Sequence, residues 1–299
     1  MSDNIPFEIQ EEIIKKLPVK SLIQFRSVSK PWKSLIDSTD FIKHYRGQMQ
    51  HLLVRYIDKV DIREKNISIV DDDSFPTQRV SVTRPTLFNM LKTYVIIGSS
   101  HGLLCLYSDG CDNMVVLWNL SIRKAVAVDV RYVSNVYDTV IGFGVCRETS
   151  DPKIVKITYI HNRTETISIP DSIPWQVEVF TLSTGVWRSP CNNLPRKAVQ
   201  FTGLQMVVWM MEGDVQKTFT KLFTIYTPAE TVLTVLEFRK SGEPVIEYRR
   251  EQDKDSSLVV YDPCSKQFNN LEINGRGSYN VCFYTETLLL LDQPEGFEF

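Results

Sequence analysis

The chain has 299 residues, 43% of them apolar and 23% charged, with 34 basic against 36 acidic side chains and a formal net charge of −2. That balance is ordinary for a globular protein and provides apolar residues for a real core in one or two domains. It excludes a general nucleic-acid binder, which needs a surplus of Lys and Arg on at least one face, and even the basic pair Arg249-Arg250 is flanked by Glu247 and Glu251.

Three helical signals crowd into Ile5 to Ile36. Asp3 and Asn4 are caps for the first, Pro6 suits its first turn, and Glu8, Glu11 and Glu12 sit at the positive end of its dipole. Ile9, Ile13 and Leu17 recur at i, i+4, i+8 with Ile14 beside them, and Pro18 stops the helix. A second helix from Val19 carries Leu22, Phe25 and Val28, and after the stop at Ser29 and Pro31 a third carries Trp32, Leu35 and Ile36. A unit of roughly 40 residues seldom buries enough surface to stand alone. Ile5, Ile9, Ile13, Val19 and Ile23 exceed what so few side chains shield from one another, so this segment is expected to dock, either on the rest of its own chain or on another molecule.

Thr39 to Tyr45 reads as a short closing helix, after which the period changes. Asp71 to Asp73 lacks the glycine and distal glutamate of a calcium loop and is expected to be a solvated turn. Strands are expected at Leu52 to Ile57, Ile67 to Val70, Tyr94 to Ile97, Leu103 to Tyr107, Val115 to Trp118, Ala125 to Val130, Thr139 to Cys146 and Ile154 to Tyr159. Further strands are expected at Val177 to Leu182, Met206 to Met211, Lys221 to Thr227, Val232 to Phe238, Pro244 to Tyr248, Leu258 to Tyr261 and Thr287 to Leu291.

A weak repeat runs through them: GLLCLYSDG precedes VVLWNLSIRK, KIVKITYI precedes VEVFTLSTGVW, and EPVIEYR precedes LVVYDPCSKQF. Each is a strand, a polar turn, then a strand ending in a tight turn. Such units suit the blades of a β-propeller, although a sandwich shows the same alternation. The fold class is therefore α+β, with helices first and a mostly antiparallel, all-β region after them.

Chemistry is sparse. The four histidines, His44, His51, His101 and His161, make no metal-ligand spacing, and no nucleophile elbow, P-loop or dinucleotide fingerprint is present. His101, beside Gly102 at a strand start, reads as a turn residue, and Gly142-Phe143-Gly144 as strand glycines. Neither enzyme activity nor a cofactor or metal is expected. The polar, acidic opening and the lack of a long apolar run predict neither a signal peptide nor a transmembrane helix, hence cytoplasm or nucleus. There Cys105, Cys111, Cys146, Cys191, Cys264 and Cys282, with no CxxC spacing, are expected as free thiols, several of them buried in strands. Arg131, Tyr132, Tyr137, Trp175, Trp187 and Arg188 lie in or beside expected loops, where such residues serve either a binding rim or packing between blades.

Ile5-Pro6, Glu8-Ile9, Ile13-Ile14, Leu17-Pro18, Arg26, Val28, Lys30 and Trp32 closely resemble the F-box. The resemblance implies an F-box at 1–46 that binds the Skp-type linker of an SCF (Skp, cullin, F-box) ubiquitin ligase. Pro6, Ile9, Ile13, Leu17, Pro18, Leu22 and Phe25 would bury against the linker, while Ile14, Val28, Trp32 and Leu35 would hold the helices together. After a connecting segment with first strands at 47–93, residues 94–299 resemble the F-box-associated, kelch-like propeller domain of the large plant F-box family. The matching motifs include Ser99-Ser100-His101-Gly102-Leu103-Leu104-Cys105, Leu117-Trp118-Asn119, Val177-Glu178-Val179-Phe180 to Trp187-Arg188, Val208-Trp209-Met210-Met211 and Val259-Val260-Tyr261-Asp262-Pro263. Family members carry further strands between the Trp-Arg and Trp-Met strands, and this chain has only Ser189 to Val208 there, so its propeller is expected to be incomplete. The implied function is that of a non-catalytic adaptor which captures a protein target for ubiquitination. A defective or decoy adaptor and a lectin-like, glycan-binding adaptor are the alternatives.

Overall fold

The computed structural model describes residues 5–47, 49–91, 94–108, 113–130, 137–146, 148–160, 176–189, 206–212, 218–225, 231–250, 252–277 and 279–293. The chain divides into two compact units, one of residues 1–51, 82–196 and 283–299, the other of residues 52–81 and 197–282. The boundaries expected after residues 46 and 93 do not coincide with this division, because the N-terminal helices share a core with the strands that follow them.

Four helices open the chain: α1 (Phe7–Ile14), α2 (Val19–Phe25), α3 (Lys30–Ile36) and α4 (Thr39–His44). Pro18 disfavours the α conformation at the residue before it, so α1 ends at Ile14 and Leu17 falls in the turn. Pro6 stands at the N-cap without a side-chain cap, and Asp3 and Asn4 lie outside the described residues. Ser38 caps α4, its hydroxyl accepting from the Phe41 N–H at 3.2 Å. Arg26 donates from Nε and Nη2 to the two oxygens of Asp37, the second bond at 3.0 Å, and so joins the ends of α2 and α3. The Trp32 indole N–H donates to Gln10 Oε1 at 2.8 Å, and its ring packs 5.2 Å from that of Phe25.

Eighteen strands follow among the described residues. The first are β1 (Gln50–Ile57), β2 (Glu64–Val70), β3 (Arg79–Ser81), β4 (Val95–Ser100), β5 (Leu103–Ser108), β6 (Met114–Asn119), β7 (Lys124–Asp129), β8 (Tyr137–Val145) and β9 (Pro152–Ile160). Then come β10 (Gln176–Thr181), β11 (Val186–Arg188), β12 (Met206–Glu212), β13 (Thr218–Ile225), β14 (Thr231–Phe238), β15 (Pro244–Arg250), β16 (Asp255–Asp262), β17 (Gln267–Arg276) and β18 (Asn280–Thr285). Three four-stranded sheets are sequential antiparallel meanders, β4 to β7, β8 to β11 and β14 to β17. A fourth has the order β18-β1-β2-β3, and β12 and β13 form a two-stranded hairpin. Helices followed by blade-like antiparallel sheets are the α+β, propeller-like class that the repeat implied. The hairpin is shorter by two strands than the other sheets, and it directly follows the shortened stretch; residues 190–205 of that stretch lie outside the described residues.

The repeat maps onto equivalent strands: its paired segments are β5 and β6, β9 and β10, and β15 and β16, the inner two strands of each meander. The turn after each third strand is built alike. Asn119 pairs with Lys124, Thr181 with Val186 and Asp262 with Gln267, leaving four residues in each loop. The last loop residue is left-handed each time, Arg123 at φ 57°, Gly185 at 65° and Lys266 at 58°. Asn119 Oδ1 accepts from the Ser121 N–H at 2.9 Å and Asp262 Oδ1 from the Cys264 N–H at 2.8 Å, side chains standing in for backbone acceptors. His101 and Gly102, both at positive φ, form the two-residue turn that matches the twist of the β4–β5 hairpin. Gly102 is required twice over, by its φ of 80° and because a Cβ there would lie 2.2 Å from the Thr285 carbonyl oxygen.

In the first unit Ile14, Val19, Leu22, Ile36, Phe41, Ile42 and Tyr45 from the helices join Leu103, Leu117, Ile154, Phe180 and Leu288 to Leu291 in one core. This corrects two sequence expectations. Leu22 is 0% exposed, on the face of α2 that the core covers, and so is not a surface contact. Val28, expected to hold the helices together, lies in the turn leaving α2 and is 68% exposed.

The segment Thr287 to Leu291, expected as a strand, is instead irregular and buried. Side chains take up its carbonyls: Asn119 Nδ2 donates to Thr287 O at 2.9 Å and Leu289 O at 2.7 Å, and Lys124 Nζ to Leu291 O at 3.0 Å. Just before it, Glu286 Oε2 accepts from the Val19 N–H at 3.0 Å, supplying the cap that α2 lacks on its own N-terminus. In the second unit Asp71 is not solvated. It is buried, accepting from Arg239 Nε at 2.9 Å and from the Lys240 N–H at 3.0 Å, as a carboxylate withdrawn from water must.

Cys105, Cys146, Cys264 and Cys282 are free thiols, and Cys111 and Cys191 lie outside the described residues. Burial pushes Cys105 and Cys282 up to about 12, whereas hydrogen bonding from Thr149 holds Cys146 below the ordinary thiol value. Brief iodoacetamide treatment at pH 8 with peptide mass spectrometry is expected to label Cys146 and exposed Cys264 and to spare Cys105 and Cys282 until the chain unfolds.

Candidate functional site

The first candidate is the face of α1 that points away from the core. Ile14 is 2% exposed, whereas Ile9 and Ile13 on the other side are 52% and 48% exposed. Ile5 continues their spacing by one turn at 52%, and Phe7 adds an aromatic ring at 42%. One face of the helices is thus covered by the chain's own strands, and the other is left open.

Other expected partner contacts fall around this stripe. Pro6 and Pro18 are exposed, while Leu17 and Phe25 are half-buried and pack against the core. Among the helix-holding residues, Ile14 is buried, and Trp32 and Leu35 pack against the core at intermediate exposure. The sequence reading missed Phe7 as a surface contact. Its signal was the even spacing Ile5, Phe7, Ile9, which fits neither face of a helix by period alone.

The polar edge of the stripe is structured too. Lys15 Nζ lies 2.9 Å from Glu11 and 3.1 Å from Glu12, and these bonds, that to Glu11 foremost, raise its ammonium above its ordinary value. As surface pairs they contribute little to stability, but they ring an apolar patch with charge. An apolar centre inside a polar rim is the anatomy of a protein interface.

The second candidate lies in the same unit. Trp187, expected at a rim, is half-buried and walls a cavity with Asp129, Lys156, Glu178, Phe180, Gly185 and Val186. Its neighbour Arg188 is exposed. Arg131, Tyr132 and Trp175 lie outside the described residues, and Tyr137 opens β8 with its side chain likewise outside them. Among the described residues no cluster of His, Cys, Asp and Glu is arranged to hold a metal ion, and no helix is long and apolar enough to cross a membrane.

Comparison with known proteins agrees with the helical segment. The F-box domain family matches residues 2–44. An F-box/kelch-repeat protein of Arabidopsis thaliana is 24% identical over 204 residues, covering 62% of this chain and 51% of that relative. An F-box protein of the same plant is 27% identical over 264 residues, covering 81% of this chain and 78% of its own. The Arabidopsis F-box protein CPR1 is 26% identical over 197 residues, 62% of this chain and 44% of that one. The chain therefore spans only about half the length of several of the curated relatives it matches. Among solved structures, that of a candidate 6-phosphogluconolactonase from Bacteroides uniformis covers 79% of this chain and 99% of its own at 8% identity, with a TM-score of 0.32, too low to carry an argument. Residues 2–44 thus match the F-box domain, and the β region is similar to those of plant F-box and F-box/kelch-repeat proteins.

Proposed function

We propose that this chain is a non-catalytic adaptor of an SCF-type ubiquitin ligase, working in the cytoplasm or nucleus. Its helices bind a Skp-type linker, and through it a cullin, while the β region holds a protein target for ubiquitination. The observation that carries the reading is the exposed pair Ile9 and Ile13, one turn apart on α1, with Ile5 and Phe7 exposed at its start, while Ile14 of the same helix is buried in the core. A patch of that kind on a helix is the sort of surface a partner covers, and an interface of standard size would remove about 1,600 Å² from water.

Such an adaptor breaks no bond itself. It raises the local concentration of target lysines around the transferring enzyme, so that an encounter between separate molecules becomes a reaction within one assembly. The test is co-expression with a Skp-type linker followed by size-exclusion chromatography. A stable one-to-one complex is expected, and separate elution of the two folded proteins would overturn the proposal.

A further inference from the structure

The face of the β8 to β11 sheet that walls the cavity is set by register. Glu178 on β10 stands directly opposite Lys156 on β9, and Phe180 opposite both Ile154 on β9 and Trp187 on β11. Because side chains alternate along a strand, the Lys156–Glu178 row and the Ile154–Phe180–Trp187 row share one face. Lys156, Glu178, Phe180 and Trp187 from these rows, with Asp129 at the end of β7, line a cavity of about 370 Å³. That is near the lower end of ligand cavities, which run from about 300 to 1,000 Å³, and suits one long side chain with its flanking backbone.

The charges in the wall are layered. The Lys156 side chain is 3% exposed and its Nζ lies 3.0 Å from Glu178 Oε2, while Glu178 is 36% exposed. A buried ammonium needs such a partner, but the charge nearer the solvent is the carboxylate. Asp129 adds a second carboxylate, so the lining carries two negative groups and one positive. The aromatic side is held in place: the Trp187 indole N–H donates to Asp129 O at 3.1 Å, and its ring lies 5.4 Å from that of Phe180. Gly185 contributes only backbone to the wall, which keeps one side of the opening low.

We propose that this cavity receives a cationic side chain, arginine foremost, from the protein that the adaptor captures. The inference rests on the adaptor reading above and names the chemistry of its target. A guanidinium is planar, forks onto a carboxylate such as Glu178 and stacks on an aromatic wall such as Trp187, whereas an anion would meet two carboxylates.

The test uses the full chain co-purified with its Skp-type linker, probed on an array of short peptides of varied sequence. Bound peptides are expected to share an arginine or lysine, and replacing that residue with glutamine should weaken binding about tenfold or more, the effect of losing one charge-assisted hydrogen bond. Asp129→Asn, a change at an exposed side chain, should weaken the same peptides. The double variant Lys156→Glu with Glu178→Lys keeps the ion pair but turns the ammonium outward, and should shift selection from cationic to acidic peptides. Enrichment of acidic or apolar peptides by the unmodified chain, no enrichment at all, or a preference unmoved by the exchange would overturn the proposal. A chain that fails to bind the linker defeats the adaptor reading instead, and the chromatography reports that separately.

Discussion

Replacing Ile9 and Ile13 together with aspartate is expected to abolish association with a Skp-type linker and to leave the melting temperature of the chain nearly unchanged. Both side chains are about half exposed and stand one turn apart on the side of α1 facing away from the core, so placing carboxylates there removes little from the folded state. In a complex the same positions would be desolvated, and two unpaired carboxylates in an apolar interface cost several kcal/mol, on the order of a thousandfold or more in affinity. Titration calorimetry against the linker, with circular dichroism of both proteins, reads the two quantities separately. Full-strength binding by the double variant would place the interface elsewhere. Leu17 and Phe25 are poorer probes, because both pack against the core and charged substitutions there would disturb folding as well as binding.

Leu22→Ala is expected to do the reverse. Leu22 is 0% exposed among Ile14, Val19 and Ile36, and truncating such a side chain leaves a cavity worth about 2–5 kcal/mol. Denaturant unfolding should show a lower midpoint for the first unit, while the linker affinity of the folded fraction stays as it was. Val28→Ala, at a residue 68% exposed, should stay within about 0.5 kcal/mol and serves as the control. A stable Leu22→Ala chain that has lost the linker would return Leu22 to the interface.

Periodicity located the four helices because prolines, serine caps and apolar spacing all act within a turn or two of the residues they govern. It did not assign their faces. Leu22 and Phe25 lie one turn apart on α2, yet one is sealed and the other half open, since that depends on where Leu103, Leu117 and Leu288 arrive from distant parts of the chain. Strands with continuous apolar runs, such as β5, β6 and β16, were legible, whereas short β3 and β11, polar β17 and β18 were missed. β17 includes Asn269 and Asn270, whose composition reads as loop although the ladder to β16 holds them as strand. The reverse error fell on Thr287 to Leu291, an apolar run that packs like a core strand but satisfies its carbonyls with Asn119 and Lys124. Trp187 was picked out by residue type, and the Lys156–Glu178 pair beneath it was not, because only register brings those two positions together.

The bond from the Val19 N–H to Glu286 spans 267 residues. A ribosome delivers the helices well before Glu286 and Leu288 to Leu291, which support them. Until then the inner faces of α2 and α4 are covered only by the earlier strands, and the N-terminus of α2 lacks its cap. The seat of α2 is therefore completed only when a segment far downstream has been made and folded back, which couples the anchoring of the helices to the folding of the β18 region.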